Sequence, residues 1–286
     1  MKILKLEDCR KVYRDIVAGY SVIKQPRCYL KHLRDIDLGA VDNKSELILD
    51  EVKANKIQSE KDVLIALDKR GIWTKKDEEN YFELIKSIKD LEQEKRKIKS
   101  REQAEQLVQI INQRKDELYK IEGERASHLS ISAEYFVKKR SQEELIKISF
   151  FKDEELKQPL FSLDEFNDLE YGELVPFFSA FAELAETVGE NNLKKISVCP
   201  FFLNAFSLSN DDPIKFYGRS GIVDLTIYQL DLFNYGKTNK VILEQGHNPP
   251  EDYSDLQGVV NWFDIEYSIL LGKVEAAKRK QDIQEP

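Results

Sequence analysis

The chain lacks the short motifs that mark common enzyme classes. It has no GxxxxGK[ST] phosphate loop, no GxGxxG dinucleotide turn, no HExxH zinc pair and no GxSxG nucleophile elbow. No reaction is therefore named by the sequence. Three cysteines, Cys9, Cys28 and Cys199, are too few and too scattered for a disulfide framework or a zinc site. They point to a reduced setting. Twelve glycines and eight prolines in 286 residues are sparse turn punctuation, which argues against a many-stranded sandwich or barrel. The longest apolar run, residues 196–206, is broken by Ser197, Pro200 and Asn204 and is too short to span a bilayer. Residues 1–8 have no apolar stretch of the secretory kind, so a cytosolic location is expected. Single-signed charge is missing as well. Residues 151–286 carry 12 basic and 24 acidic side chains, whereas residues 1–150 carry 32 and 28. The acidic second half should repel nucleic acid, so the composition gives no support to a nucleic-acid role.

What is present is charge in quantity. Charged residues make up 34% of the chain, above the usual quarter, and the densest stretch runs over residues 74–125. Apolar residues recur there at helical steps: Tyr81, Leu84, Ile88, Leu91 and Ile98, then Ala104, Leu107, Ile111, Leu118 and Ile121. Lys, Glu, Asp, Arg and Gln fill the gaps. The spacing predicts two helices closing on a narrow apolar seam. Thr74 with Asp77 and Ser100 with Gln103 supply capping pairs, and Trp73 stands where a hydrophobic staple belongs. Lys95, Arg114 and Arg125 fall on seam positions, which favours an antiparallel hairpin over a long dimeric coiled coil. Gly123 is expected to interrupt the second helix.

Elsewhere the patterns also read as helices. Asp8 is expected to cap a first helix with Val12, Ile16, Val17 and Tyr20 on one face, broken at Gln25-Pro26. A second helix is expected over 28–38, ended by Gly39, with short ones over 45–54 and 59–69. Ser59 pairs with Asp62, Ser130-Ile131-Ser132 opens a further helix, and Ser162 pairs with Glu165. A stripe from Leu174 to Val188 follows, then a buried helix entered at Pro200 and a turn or cap at residues 210–213. Residues 222–235 alternate like a strand and recur like a helix; their length favours helix. Pro250 suits the first turn of a last helix carrying Val259, Trp262, Phe263 and Ile269. The expectation is an all-α, multi-helix protein with a projecting antiparallel hairpin. Residues 1–155 would form an N-terminal helical region and 156–286 an acidic, aromatic-rich helical domain.

Candidate chemistry is thin. Gly218-Arg219-Ser220-Gly221 superficially suggests an anion-binding turn, but it lacks the lysine and the strand-loop-helix context, and a turn with positive φ at Gly218 or Gly221 explains it better. His247 near Glu251 and Asp252, or Asp211-Asp212, could hold a metal, though caps and surface positions explain them at less cost. Cys199, among Val198, Pro200 and Phe201, reads as a buried thiol. No catalytic residue, cofactor or metal ligand is assigned. Instead, Tyr81, Leu84, Ile88, Phe177, Phe181, Phe216, Tyr217 and Trp262 are assigned to partner binding, with ordinary core packing as the competing reading. A helical metal-dependent enzyme of unfamiliar class is the rival function.

Two groups of segments carry a resemblance. One comprises residues 201–206, Asp212-Pro213, Phe216-Tyr217-Gly218 and residues 223–229. The other comprises Gly71-Ile72-Trp73-Thr74, the charged hairpin after it and Ser132-Ala133-Glu134-Tyr135. Together they resemble tail-region proteins of tailed bacteriophages, of the tail assembly chaperone and structural subunit kind. The resemblance implies a non-enzymatic role in virion morphogenesis in the host cytoplasm or the virion. It also implies other phage structural proteins as partners, a possible homo-oligomer and no membrane. It assigns no functional residue.

Overall fold

The computed structural model describes residues 4–95, 98 and 101–282. It is mainly all-α, with thirteen α-helices and one three-stranded sheet among those residues. The chain divides into two compact units. One takes Met1–Lys44 and Ser141–Val260, the other Ser45–Arg140 and Asn261–Pro286. The boundary expected between residues 155 and 156 thus falls inside the first unit, and the second is built largely from a chain segment inserted into the first.

In the first unit, α1 (Leu6–Ala18) starts one turn earlier than expected. Lys5 is its N-cap, and Asp8, placed as N3, accepts the Lys5 N–H at 3.3 Å. Gly19 ends the helix in the left-handed region (φ 85°), its N–H reaching Asp15 O and Ile16 O. Of the helix expected over 28–38, residues 28–31 are instead the second arm of a β-hairpin, and the chain is helical only from Asp35 on. β1 (Tyr20–Lys24) and β2 (Arg27–Lys31) pair antiparallel from Tyr20↔Lys31 to Lys24↔Arg27. The signal was period two: Cys28 and Leu30 are buried while Arg27, Tyr29 and Lys31 are not. Tyr20 accordingly belongs to the sheet and not to the face of α1.

Gly39 ends nothing. It lies inside α2 (Asp35–Ala54), with open space around its missing Cβ. One glycine costs a long helix only about 1 kcal/mol, and the first turn is anchored by Asp37, which accepts the Arg34 N–H at 3.0 Å.

Past the second unit's helices, which are described below, α6 (Ala133–Ser149) leads into β3 (Phe150–Phe151), which pairs with β2 through Leu30↔Phe150. Next come α7 (Leu163–Asp168), opened by the expected Ser162–Glu165 box, and α8 (Tyr171–Thr187). They are followed by α9 (Glu190–Ser197), α10 (Pro200–Ser207) and α11 (Pro213–Tyr217). Pro200 begins α10, and Asp212 caps α11 by accepting from Ile214 N at 3.0 Å and Lys215 N at 3.2 Å.

Residues 222–224 form a single 3-10 turn, and the helix at 222–235 begins only at α12 (Ile227–Glu244), behind an unforeseen Thr226–Gln229 capping box. α13 (Leu256–Asp282) starts beyond Pro250, with Asp255 Oδ1 accepting Gly258 N at 3.0 Å. Between these elements lies one core holding Ile16, Leu30, Phe150, Leu193, Ile196, Phe202, Phe206 and Leu232. All three cysteines are buried free thiols, including Cys199 as expected.

The second unit holds α3 (Glu60–Arg70), α4 (Lys75–Lys95) and α5 (Arg101–His128), with parts of α2, α6 and α13. Both arms of its Ser59–Asp62 box are present. Thr74 and Asp77 form the expected box at the head of α4, the Thr74 N–H donating to Asp77 Oδ2 at 2.7 Å. Trp73 has its staple partner at Glu78, but the link is polar: indole Nε1–H donates to Glu78 Oε2 at 2.8 Å. Ser100 lies outside the described residues. α4 and α5 pack on each other as the predicted hairpin, with Leu84, Ile88, Ala104 and Ile111 buried. Gly123 does not interrupt α5, which continues through it to His128.

Candidate functional site

Arg125, a charged intruder in the apolar repeat, closes the base of the hairpin. From the last turn of α5 it donates to Glu78 in the first turn of α4, Nε to Oε2 at 3.0 Å and Nη2 to Oε1 at 2.8 Å. Nη2 also donates to Glu60 at the start of α3. Its guanidinium lies 5.1 Å above the Tyr81 ring. A planar fork suits this bidentate geometry, and a lysine could not reproduce it. The guanidinium holds the Glu78 carboxyl below the usual carboxylate range, and Glu78 in turn holds Arg125 protonated more firmly than usual.

One residue therefore ties three helix ends. Arg125→Met should leave two carboxylates facing each other without a counterion. Because the trio is partly solvated, the loss should be about 1 kcal/mol. Urea unfolding of R125M, E78Q and the double variant checks this. Additive effects in that cycle would mean that the two residues are not coupled.

The residues assigned to partner binding are mostly spent inside the fold. Leu84 and Ile88 fill the hairpin seam, and Tyr81 is half-buried beneath Arg125. Phe177 and Tyr217 are buried in the first unit's core, and Phe181 and Phe216 pack against it half-buried. Trp262 is buried in the second unit, edge-on to Phe263 at 5.0 Å. A stripe at helical spacing is what builds a core, so the same regularity that singles these residues out removes most of them from solvent. The hairpin's exposed large apolar side chains lie off the repeat: Phe82 (56% exposed) on α4, and Ile110 and Tyr119 (79%) on α5. The signal in the sequence is an aromatic out of phase in a charged helix.

The Gly218–Gly221 turn has a structural duty. Gly218 takes the positive φ (62°), whereas Gly221 is extended. Arg219 Nη2 donates to the carbonyls of Val17 (2.8 Å) and Ala18 (3.0 Å), at the C-terminal end of α1. Gln229 Nε2 adds bonds to Ile16 O and Val17 O. A cation and an amide thus give the last carbonyls of α1 side-chain donors and oppose its negative end. A Cβ on Gly19 would stand 2.9 Å from Arg219 Nη2, so glycine there makes the approach possible.

This turn borders a polar cleft of about 440 Å³ that also touches Lys31, His32 and Arg34. Its other cations are engaged too. Asp37 takes Lys31 Nζ at 2.8 Å and Arg34 Nε at 3.1 Å. The same contacts hold the Asp37 carboxyl down at about 2 against the opposing effect of burial. His32 is buried, with its Nε2 2.9 Å from Ser21 Oγ, and burial pushes its pKa down to about 3.

Asp211 pairs with Lys240 Nζ at 3.0 Å, and Asp252 accepts Ser254 N at 2.8 Å. Among the described residues, no three His, Cys, Asp or Glu side chains are grouped so as to hold a metal ion. No protein-family model, curated protein or solved structure matches the chain.

Proposed function

We propose that the chain is a non-enzymatic assembly or interaction protein that binds another structural protein, of the kind found in the tail region of a tailed phage. The observation that carries this reading is the hairpin. Its seam is filled, its base is tied by Arg125, and the aromatic side chains Phe82 and Tyr119 stand in solvent on charge-rich helices. A stiff element with rigid aromatic side chains presents contact area at low entropic cost, and aromatic residues are enriched at interfaces. The length of α5, roughly 42 Å at 1.5 Å per residue, gives such an element reach.

Co-expression with each structural protein encoded beside it, followed by size-exclusion chromatography with light scattering, tests the proposal. A defined complex is expected. Phe82→Ser and Tyr119→Ser should each weaken it by about tenfold or more, in the range of interface hot spots, with unchanged thermal unfolding. A chain that stays monomeric beside every candidate, or a complex indifferent to both substitutions, would refute it. Mass spectrometry of purified particles separates an assembly factor that leaves from a subunit that stays.

A further inference from the structure

Lys195 is the most anomalous charge in the molecule. It sits on α9, 2% exposed, yet its ammonium makes no hydrogen bond or ion pair among the described residues. Burying a charge without a partner is among the costliest things a fold can do. Lys195 also lines a cleft of about 860 Å³ in the first unit, within the size range of small-ligand sites. The apolar part of the lining comes from Leu4, Leu6, Tyr253 and Leu256.

The other charges on this cleft do not answer Lys195. Arg10 lies with its guanidinium 5.1 Å over the Phe201 ring and has no carboxylate partner among the described residues. Asp255 is committed to capping α13 through Gly258 N. Glu7 is exposed in the first turn of α1, where a carboxylate opposes the positive helix end. Lys5, exposed at the N-cap of α1, is a third cation of the lining, so the cleft presents three cations together with apolar side chains.

We propose that this cleft binds a carboxylate carried on an apolar body, with the carboxylate on Lys195 and the body along Leu4, Leu6 and Leu256. The Lys195 ammonium, the one cation of the lining that is buried, matches a negative head group, and the apolar side chains match an aliphatic or peptide chain. Such a head group belongs equally to a fatty-acid-like amphiphile and to the free C-terminus of an apolar peptide. The inference does not depend on the hairpin reading.

Isothermal titration of the full chain with decanoate, decanol, acetyl-Leu-Leu and acetyl-Leu-Leu-amide tests it. Decanoate, acetyl-Leu-Leu or both should bind, and the uncharged counterpart of each binder at least tenfold more weakly. Binding by decanoate alone assigns an amphiphile, and binding by acetyl-Leu-Leu alone assigns a peptide end. Lys195→Met should erase the preference for charge without lowering the unfolding temperature, because it replaces an unpaired buried ammonium with an apolar chain. Should K195M fail to fold, Leu6→Asp at the exposed part of the wall supplies a second variant, expected to cut affinity tenfold by setting a carboxylate against the ligand. No binding by either acid at millimolar concentration, equal binding of acid and uncharged analogue, or affinity unchanged in the variant that folds would overturn the proposal.

Discussion

Gly236→Val should destabilise the first unit by about 3 kcal/mol, and Gly236→Ala by about 1–2. Gly236 lies in the middle of α12, where alanine would ordinarily be preferred by about 1 kcal/mol for its lower backbone entropy cost. The opposing effect is steric. A Cβ there would stand 2.6 Å from Phe206 Cδ2, 2.7 Å from Phe206 Cε2 and 2.9 Å from Phe202 Cε1. These rings cannot yield separately. They stack on each other with centroids 5.7 Å apart, and Phe206 also meets Phe233 at 4.9 Å. Both are essentially fully buried.

Interiors packed to crystal density transmit such an intrusion, so the packing cost exceeds the helix gain. Gly123 supplies the control. It too lies within a long helix, but nothing stands within 4 Å of its missing Cβ. Gly123→Ala should therefore stabilise by about 0.5–1 kcal/mol. Urea unfolding of the two alanine variants checks the pair. Effects of the same sign at both positions would refute the packing account of Gly236.

These two glycines show what the sequence could and could not convey. Both interrupt helical patterns, and only neighbours distant in the chain distinguish them. Local chemistry was legible. The boxes at Ser59, Thr74 and Ser162, the cap at Asp212 and the first-turn proline at Pro200 are decided by residues within four positions of one another. The hairpin was legible for the same reason, since its two helices follow each other directly.

The β1–β2 hairpin was not. Residues 28–38 contain enough apolar spacing for a helix, which competed with the short alternation of Cys28 and Leu30 against Arg27, Tyr29 and Lys31, and the onward pairing of Leu30 with Phe150 of β3 lies more than a hundred residues away. Arg125 looked like a defect because its carboxylates, Glu78 and Glu60, are 47 and 65 positions away. Arg219 looked like part of an anion turn because the carbonyls it serves are about two hundred positions away. The residues assigned to partner binding lie mostly inside the fold, because periodicity finds what is buried and leaves the exposed side chains over.

Lowering the pH from 8 to 5 should remove about 2 kcal/mol of stability through His32 alone. The sign follows from which state takes the proton. His32 has an ordinary pKa of 6.5, and burial lowers it to about 3 in the fold. The unfolded chain therefore binds a proton below pH 6.5 that the native state refuses. The contribution is constant well above pH 6.5, declines by at most about 1.4 kcal/mol per pH unit below it, and levels off near pH 3. Asp37 cannot mimic this. With its pKa held down at about 2, its contribution persists above the ordinary value of 3.8 and is lost only between 3.8 and 2. Tyr228, edge-on to the imidazole at 5.3 Å, is kept neutral by burial, which raises its pKa.

The geometry explains why the native state resists the proton. Nε2 is already engaged with Ser21 Oγ, and Nδ1 is buried with no partner, so an imidazolium would hold a charge and a donor with nothing to receive them. His32→Gln removes the titration while keeping an amide that can reach Ser21. Urea unfolding at pH 8 and pH 5 should show the native chain losing about 2 kcal/mol more than H32Q. If the two lose the same amount, the acid sensitivity of the fold lies elsewhere and the buried imidazole is not its source.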